Sequence, residues 1–230
     1  MTTYACKGGI DLALTLDDKV ALIKSALDKI NRPLKKVLIL PPDFTRFNSN
    51  AGVLTNILYK LLTPTAHVDI MPALGTHFPM TEQEIKTMFG EDIPLDAFKV
   101  HDWRNDVVTL GEVPGSLIKE WSEGKLDYNV NVQCNKLLFN NYDLILSVGQ
   151  IVPHEVVGMA NYTKNIMVGV GGADMINKSH FLGATAGLEN LMGVNETPVR
   201  KLFNYAVHTY LKDLPLVFVM TVMAKNFATG

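Results

Sequence analysis

Val37-Leu38-Ile39-Leu40-Pro41-Pro42-Asp43-Phe44-Thr45-Arg46 decides how the rest of the chain is read. Four consecutive apolar residues suit a strand covered on both faces, as in a parallel sheet. The two prolines stop it, because proline has no N–H to donate to a ladder. Upstream, Val20, Ile23, Leu27 and Ile30 recur at three- and four-residue spacing and predict an amphipathic helix over 16–31. Asp17 and Asp18 suit its N-terminal dipole, and Asn31-Arg32-Pro33 ends it. Downstream, the pattern predicts a helix over 50–62, a strand from His67 to Leu74, a strand around Phe98 to His101 and a strand from Leu144 to Val148. A helix over 197–212 follows Thr197-Pro198, an N-cap with proline at the first position, and Leu216 to Met220 is a final strand. Residues 103–135 read as irregular, with one strand near Tyr128 to Val132. Strands alternating with helices imply βαβ units. The expected fold is a single α/β domain, a mostly parallel sheet with helices on both faces, three-layered and Rossmann-like.

The chain has 230 residues, 47% of them hydrophobic and 19% charged, enough to bury one large core. Its 21 Lys and Arg against 23 Asp and Glu give a formal charge of -2, with no basic surplus for a nucleic-acid backbone or a polybasic membrane anchor. The longest strongly apolar run, Leu214 to Ala224, is shorter than the roughly 20 residues of a spanning helix. Met1-Thr2-Thr3-Tyr4-Ala5-Cys6-Lys7 lacks a basic region followed by an apolar one, so no secretory signal is read and a cytoplasmic location is expected. Cys6 and Cys134 alone support neither a disulfide framework nor a thiolate zinc site.

The chemistry-bearing residues follow the strands. Asp43, Thr45 and Arg46 come after the first, Gly75-Thr76-His77 after the second and Gly149 to His154 after the fourth. In a parallel sheet these segments leave at the C-terminal edge, where open α/β folds bind ligands. Singly, each residue has a plainer reading: Asp43 and Thr45 as helix caps, Arg46 as a solvated cation, His77 and His154 as turn residues. Together, an arginine and two histidines suit a small carboxylate substrate that needs proton transfer near neutral pH. Gly149 to His180 is rich in glycine, at 158, 169, 171 and 172, as tight turns and close backbone approach to a ligand require. It contains no P-loop and no GxGxxG fingerprint. Lys164 and His180 stand in it as either surface or core residues, or as a nucleophilic amine and a metal ligand.

Pro42-Asp43-Phe44-Thr45-Arg46, Gly75-Thr76-His77, and the spacing of His154, Lys164 and His180 resemble the N-terminal catalytic domain of the nickel-dependent lactate racemase family, over nearly the whole chain. The resemblance implies a nickel-pincer nucleotide cofactor joined covalently to Lys164 through a thioamide. His180 would be the protein ligand to nickel, in the near-square-planar geometry that suits Ni(II). It further implies His77 and His154 as paired acid/base residues, Arg46 as the clamp on the substrate carboxylate, and Asp43 and Thr45 on the cofactor side. The implied reaction is racemisation or epimerisation of a 2-hydroxy acid by hydride transfer to the cofactor and back. A chain made without the accessory biosynthetic enzymes is expected to lack the cofactor.

Around the linking lysine such racemases carry a Gly-Gly-Arg-Lys-Ser-like segment, whereas this chain has Asn161-Tyr162-Thr163-Lys164-Asn165. The expectation is therefore a 2-hydroxy acid racemase or epimerase rather than one for lactate alone. Members of the family continue into a second domain that closes over the cleft. This sequence stops at Ala228-Thr229-Gly230, which reads as a cut at the domain junction, so residues 1–230 are expected to be the cofactor-bearing N-terminal domain, with the C-terminal domain a missing partner. The competing reading is a non-catalytic nucleotide- or metal-binding domain, which has no need of both His77 and His154. A histidine-ligated zinc hydrolase is weaker, because no HExxH motif is present.

Overall fold

The computed structural model describes residues 2–224. In chain order the elements are α1 (Leu16–Ile30), β1 (Lys36–Leu40), a 3-10 turn (Phe44–Ser49), α2 (Ala51–Leu62), β2 (His67–Ile70), α3 (Glu82–Phe89), β3 (Val107–Val113), α4 (Gly115–Trp121), β4 (Val130–Asn135), β5 (Leu144–Gln150), the two-residue strands β6 (Pro153–His154) and β7 (Gly158–Met159), a π-turn (Asn165–Gly169), α5 (Ala173–Ala186), α6 (Leu188–Leu191), α7 (Pro198–Tyr210) and β8 (Leu216–Thr221). The main sheet has the order β2-β1-β5-β8, and every pairing in it is parallel. Ala228-Thr229-Gly230, where the sequence suggests a domain junction, lies outside the described residues.

Alternation along the central strands explains the three layers. Val37 and Ile39 of β1 and Leu144, Leu146 and Val148 of β5 point to one core, shared with Ile23 of α1, Leu54, Ile57 and Leu58 of α2, and Met88 and Phe89 of α3. Leu38, Leu40 and Ile145 point to the other, with Met175 and Leu182 of α5, Leu202 and Phe203 of α7, and Val113, Val130 and Val132 of the β3-β4 hairpin. A strand buried on both faces needs an unbroken apolar run, which Val37 to Leu40 provides. Gly52 sets the spacing of α2 and α3, since a Cβ there would lie 2.0 Å from the Met88 carbonyl oxygen.

The helix signals act where the sequence places them. The Thr15 side chain caps α1 in a reciprocal capping box with Asp18, and Asn31 closes the helix in the left-handed region (φ 46). Thr197 caps α7 by accepting from the Arg200 N–H, with Pro198 in the first turn. Three expectations need correction. β2 ends at Ile70 rather than Leu74, because Pro72 has no N–H and the pairing resumes only as a Pro42–Ala73 bridge. Phe98 to His101 is not a strand: a single bridge joins Phe98 to Ile70, and the Phe98 ring packs on Phe89 at 5.2 Å. Residues 103–135 are not irregular but form the antiparallel β3-β4 hairpin with α4 between its strands. No described helix is long and apolar enough to cross a membrane.

Candidate active site

β1, β2 and β5 run parallel, so the segments that follow them leave on one edge. From β1 the chain goes by α2 to β2 on one side, and from β5 it goes to β8 on the other. The strand order therefore reverses between β1 and β5, the crevice in which open α/β sheets bind ligands. Asn165 bridges that crevice: its Nδ2 donates to the Leu40 carbonyl at 3.1 Å and to Ser147 Oγ at 2.9 Å. The Gly75 N–H donates to the Gly169 carbonyl at 2.8 Å, which ties the His77 turn to the π-turn behind Lys164.

Asp43 does two jobs. It caps the 3-10 turn, its Oδ1 accepting from the Thr45 N–H at 3.1 Å and the Thr45 hydroxyl at 2.5 Å. Its Oδ2 accepts from Nδ1 of His77. A carboxylate can only accept, so the His77 proton sits on Nδ1 and the Nε2 lone pair is free. His77 is half exposed while Asp43 is buried. Capping therefore occupies one carboxylate oxygen of Asp43 and leaves the other for His77.

His154 is buried at the β6-β7 turn, where its Nδ1 accepts from the Val156 N–H at 3.1 Å. In the neutral ring that leaves the proton on Nε2. Burial first, then the positive charges of Lys164, Arg46 and His180, push its pKa down to about 4, against the opposing charge of Glu155. Lys164 is half-buried; its backbone N–H donates to the Asn161 carbonyl at 3.3 Å, while its side-chain amine makes no hydrogen bond or ion pair among the described residues. Burial, with help from Arg46 and Arg200 and against Glu155 and Asp43, lowers its pKa to about 8. It is thus neither the surface lysine of the plainer reading nor freely accessible. Arg46 is exposed, and its guanidinium hydrogen-bonds only to Thr45, with no carboxylate partner among the described residues. His180 on α5 is exposed, and its Nδ1 bonds to the Ile176 carbonyl at 2.7 Å, which leaves Nε2 as a lone-pair donor.

Asp43 and His77 are in direct contact, and the charges of Arg46, His154, Glu155, Lys164 and His180 act on one another in the same neighbourhood. Sequence reasoning missed Glu155, whose Oε2 stands 3.6 Å from His154 Nδ1, and its adjacency to His154 was the available signal. It also missed His101, a buried neutral ring that donates from Nε2 to the Gly171 carbonyl at 3.0 Å and accepts at Nδ1 from Asn135. The four glycines at 158, 169, 171 and 172 approach the protein itself rather than an open ligand space. A Cβ on them would meet the Val194 carbonyl at 2.0 Å, Ala73 at 2.7 Å, the Met167 carbonyl at 1.8 Å and Gln133 at 2.7 Å. Among the described residues no group of three or more His, Cys, Asp or Glu is placed to hold a metal ion.

A family model described as the lactate racemase N-terminal domain matches residues 18–191. The chain is 29% identical over 195 residues to a lactate racemase of Thermoanaerobacterium thermosaccharolyticum, covering 82% of this chain and 42% of that one. It is 26% identical over 169 residues to a lactate racemase of Lactiplantibacillus plantarum, covering 72% and 37%. The chain thus spans less than half the length of these curated relatives. Two solved structures share the fold. A protein from Thermotoga maritima superposes with TM-score 0.85 at 23% identity, covering 93% of this chain and 52% of that one. The lactate racemase apoprotein of T. thermosaccharolyticum superposes with TM-score 0.63 at 24% identity, covering 92% and 46%.

Proposed function

The chain belongs to the lactate racemase N-terminal domain family, and from that premise we propose that it is the cofactor-bearing domain of a racemase or epimerase of a 2-hydroxy acid, lactate or a close relative. One observation carries the proposal: a half-buried lysine amine, unpartnered among the described residues, beside the β1-β5 crevice, with two histidines on the neighbouring strand exits. In the complete protein a second domain closes over that edge.

The donor set fits a nickel-pincer nucleotide. Lys164, with its pKa near 8, is partly neutral at physiological pH and suits covalent attachment. His180 fits a metal through Nε2, because its Nδ1–H is already held by the Ile176 carbonyl, the arrangement that orients metal-bound histidines. It is a single protein donor, so the remaining donors come with the group. Thr45 presents an exposed hydroxyl on the same side, held by Asp43. The chemistry such a group supplies when bound is reversible acceptance of hydride from the substrate's C2.

The chain's residues do the rest. Arg46, free of any acidic partner among the described residues, clamps the substrate carboxylate with its planar fork. His77 takes the hydroxyl proton at Nε2, and Asp43 holds the tautomer and stabilises the imidazolium. His154 serves the opposite face. With Nδ1 accepting from the Val156 N–H, the neutral ring has its proton on Nε2, from which it can donate to the substrate oxygen. To take a proton there the ring must carry its other proton on Nδ1, towards Glu155. Water exclusion by the second domain strengthens each of these contacts.

The test is the full-length protein, produced together with the cofactor-making enzymes and assayed by chiral chromatography on single enantiomers. Interconversion that His77→Gln and His154→Gln both cripple supports the reading. A fully loaded protein that leaves a panel of 2-hydroxy acids unchanged overturns it.

A further inference from the structure

The N-cap Thr197 and Arg200, Asn204 and His208 of α7 lie at i, i+3, i+7 and i+11, one continuous stripe beside the apolar face formed by Val199, Leu202, Phe203, Ala206 and Val207. Every residue of the stripe meets the segment 157–163. Thr197 Oγ1 donates to the Val157 carbonyl at 3.0 Å. Arg200 donates to the Met159 carbonyl, to the Asn161 carbonyl at 3.3 and 3.4 Å, and to Thr163 Oγ1 at 2.8 Å. Asn204 Oδ1 accepts from Thr163 Oγ1 at 2.8 Å, and His208 Nε2 lies 3.4 Å from the Tyr162 hydroxyl.

Arg200 is 5% exposed and makes no salt bridge among the described residues: carbonyl and hydroxyl oxygens take its N–H groups, the Tyr162 ring lies 5.9 Å from its centre, and Glu196 acts on it only at longer range. A guanidinium buried in this way carries a desolvation cost that simple packing does not explain. The segment it grips is itself unusual. Asn161 and Tyr162 are consecutive non-glycine residues in the left-handed region (φ 63 and 56). The Asn161 side-chain amide is buried without a partner among the described residues, against Gly149. Immediately after this kink comes Lys164, and then Asn165, pinned to Leu40 and Ser147. Lys164 is thus the free side chain between two clamps, the stripe of α7 on one side and the sheet crevice on the other.

We propose that Arg200 is a positioning residue for Lys164: its fork holds the left-handed kink at 159–163, and the kink presents the Lys164 amine to the site. The value of that presentation rests on Lys164 being the attachment point, but the geometric claim does not. The charged groups acting on the amine are Arg46 and Asp43 from the β1 exit, Glu155 beyond β6, and Arg200 from α7.

The test is competitive acetylation of the intact chain by acetic anhydride across pH 6–11, with mass spectrometry of the Lys164 peptide and exposed Lys119 as the internal standard. The wild-type protein should titrate Lys164 near pH 8. Arg200→Met should move that midpoint upward by about one pH unit or more, towards the ordinary lysine value. Arg200→Lys keeps the charge but cannot span the acceptors, and should shift in the same sense. Methylguanidinium should restore the lower midpoint to Arg200→Ala, while methylammonium should not. Thr163→Val, a milder change that removes the hydroxyl between Arg200 and Asn204, should shift it less, and it decides the matter if the Arg200 variants do not fold. An unchanged midpoint in folded Arg200→Met or Thr163→Val overturns the proposal, as does wild-type behaviour of Arg200→Lys, which would leave charge alone as the cause. A loaded full-length protein with no adduct on Lys164 would sink the attachment reading while leaving this titration intact.

Discussion

Asp43→Asn is the sharpest perturbation of the acid/base machinery, because three donors converge on one buried carboxylate: the Thr45 N–H, the Thr45 hydroxyl and His77 Nδ1–H. An amide has one oxygen to offer. If that oxygen stays with Thr45, the NH2 faces His77, whose Nδ1 must then accept. The ring proton moves to Nε2, and the lone pair that takes the substrate proton is gone. If the oxygen turns to His77, the NH2 opposes two donors and the cap of the 3-10 turn is lost. Loss of a cap costs roughly 0.5–2 kcal/mol, and loss of a charge-assisted bond roughly 1.5–3 kcal/mol. His77 is half exposed, so solvent screening keeps the stability loss near the low end, about 1–2 kcal/mol. The catalytic loss is much larger, about 10²–10⁴-fold, because the base is in the wrong tautomer. The assay pairs urea unfolding of the variant with turnover of each enantiomer by the loaded full-length protein, and nitrogen NMR shifts of the His77 ring report the tautomer directly. Undiminished turnover in Asp43→Asn, or a wild-type His77 ring that already carries its proton on Nε2, would refute the reasoning.

Three further outcomes follow from the geometry. His154 has its pKa depressed from 6.5 to about 4, so below pH 6.5 the unfolded chain binds more protons than the folded one. Stability should fall as pH drops from 6.5 to about 4, by at most ~3 kcal/mol, and His154→Gln should flatten that dependence in urea titrations at successive pH values. Asn165→Ala removes the bridge between Leu40 and Ser147 and leaves the buried end of β1 short of a donor, which should cost ~1–3 kcal/mol in chemical unfolding. Gly158→Ala places a Cβ 2.0 Å from the Val194 carbonyl at a residue with φ 87, and should destabilise by at least ~1–3 kcal/mol; an unchanged melting temperature would contradict the close approach.

The legible part of the fold is the part governed by local rules. Val37 to Leu40 shows a doubly buried strand because both faces demand apolar residues. Thr15, Asn31, Thr197 and Pro198 mark helix ends because capping is decided within a turn. The hairpin over 107–135 was hidden because a bulge between Thr109 and Gly111 breaks its alternation and a helix separates its strands. Phe98 to His101 carries strand-like residues that contact Ile70 and Phe89 without continuous pairing, a tertiary outcome no window displays. In the site, the strand exits located Asp43, His77 and His154. The contact of Asp43 with His77, the tautomers and the depressed pKa of Lys164 depend on where buried charges meet. The grip of α7 on 157–163 joins residues some forty positions apart, and reading it requires knowing which helix lies against which turn.

The central claim is that Lys164 is where this domain carries its cofactor, and the direct measurement is a peptide-resolved mass spectrum of the full-length protein produced together with the cofactor-making enzymes. The account predicts a mass increase of nucleotide size on the peptide containing Lys164, lost in Lys164→Ala, with nickel bound stoichiometrically in the wild-type protein and released by His180→Ala. An unmodified Lys164 in a protein that holds nickel and interconverts enantiomers, or an adduct on another residue, would contradict it.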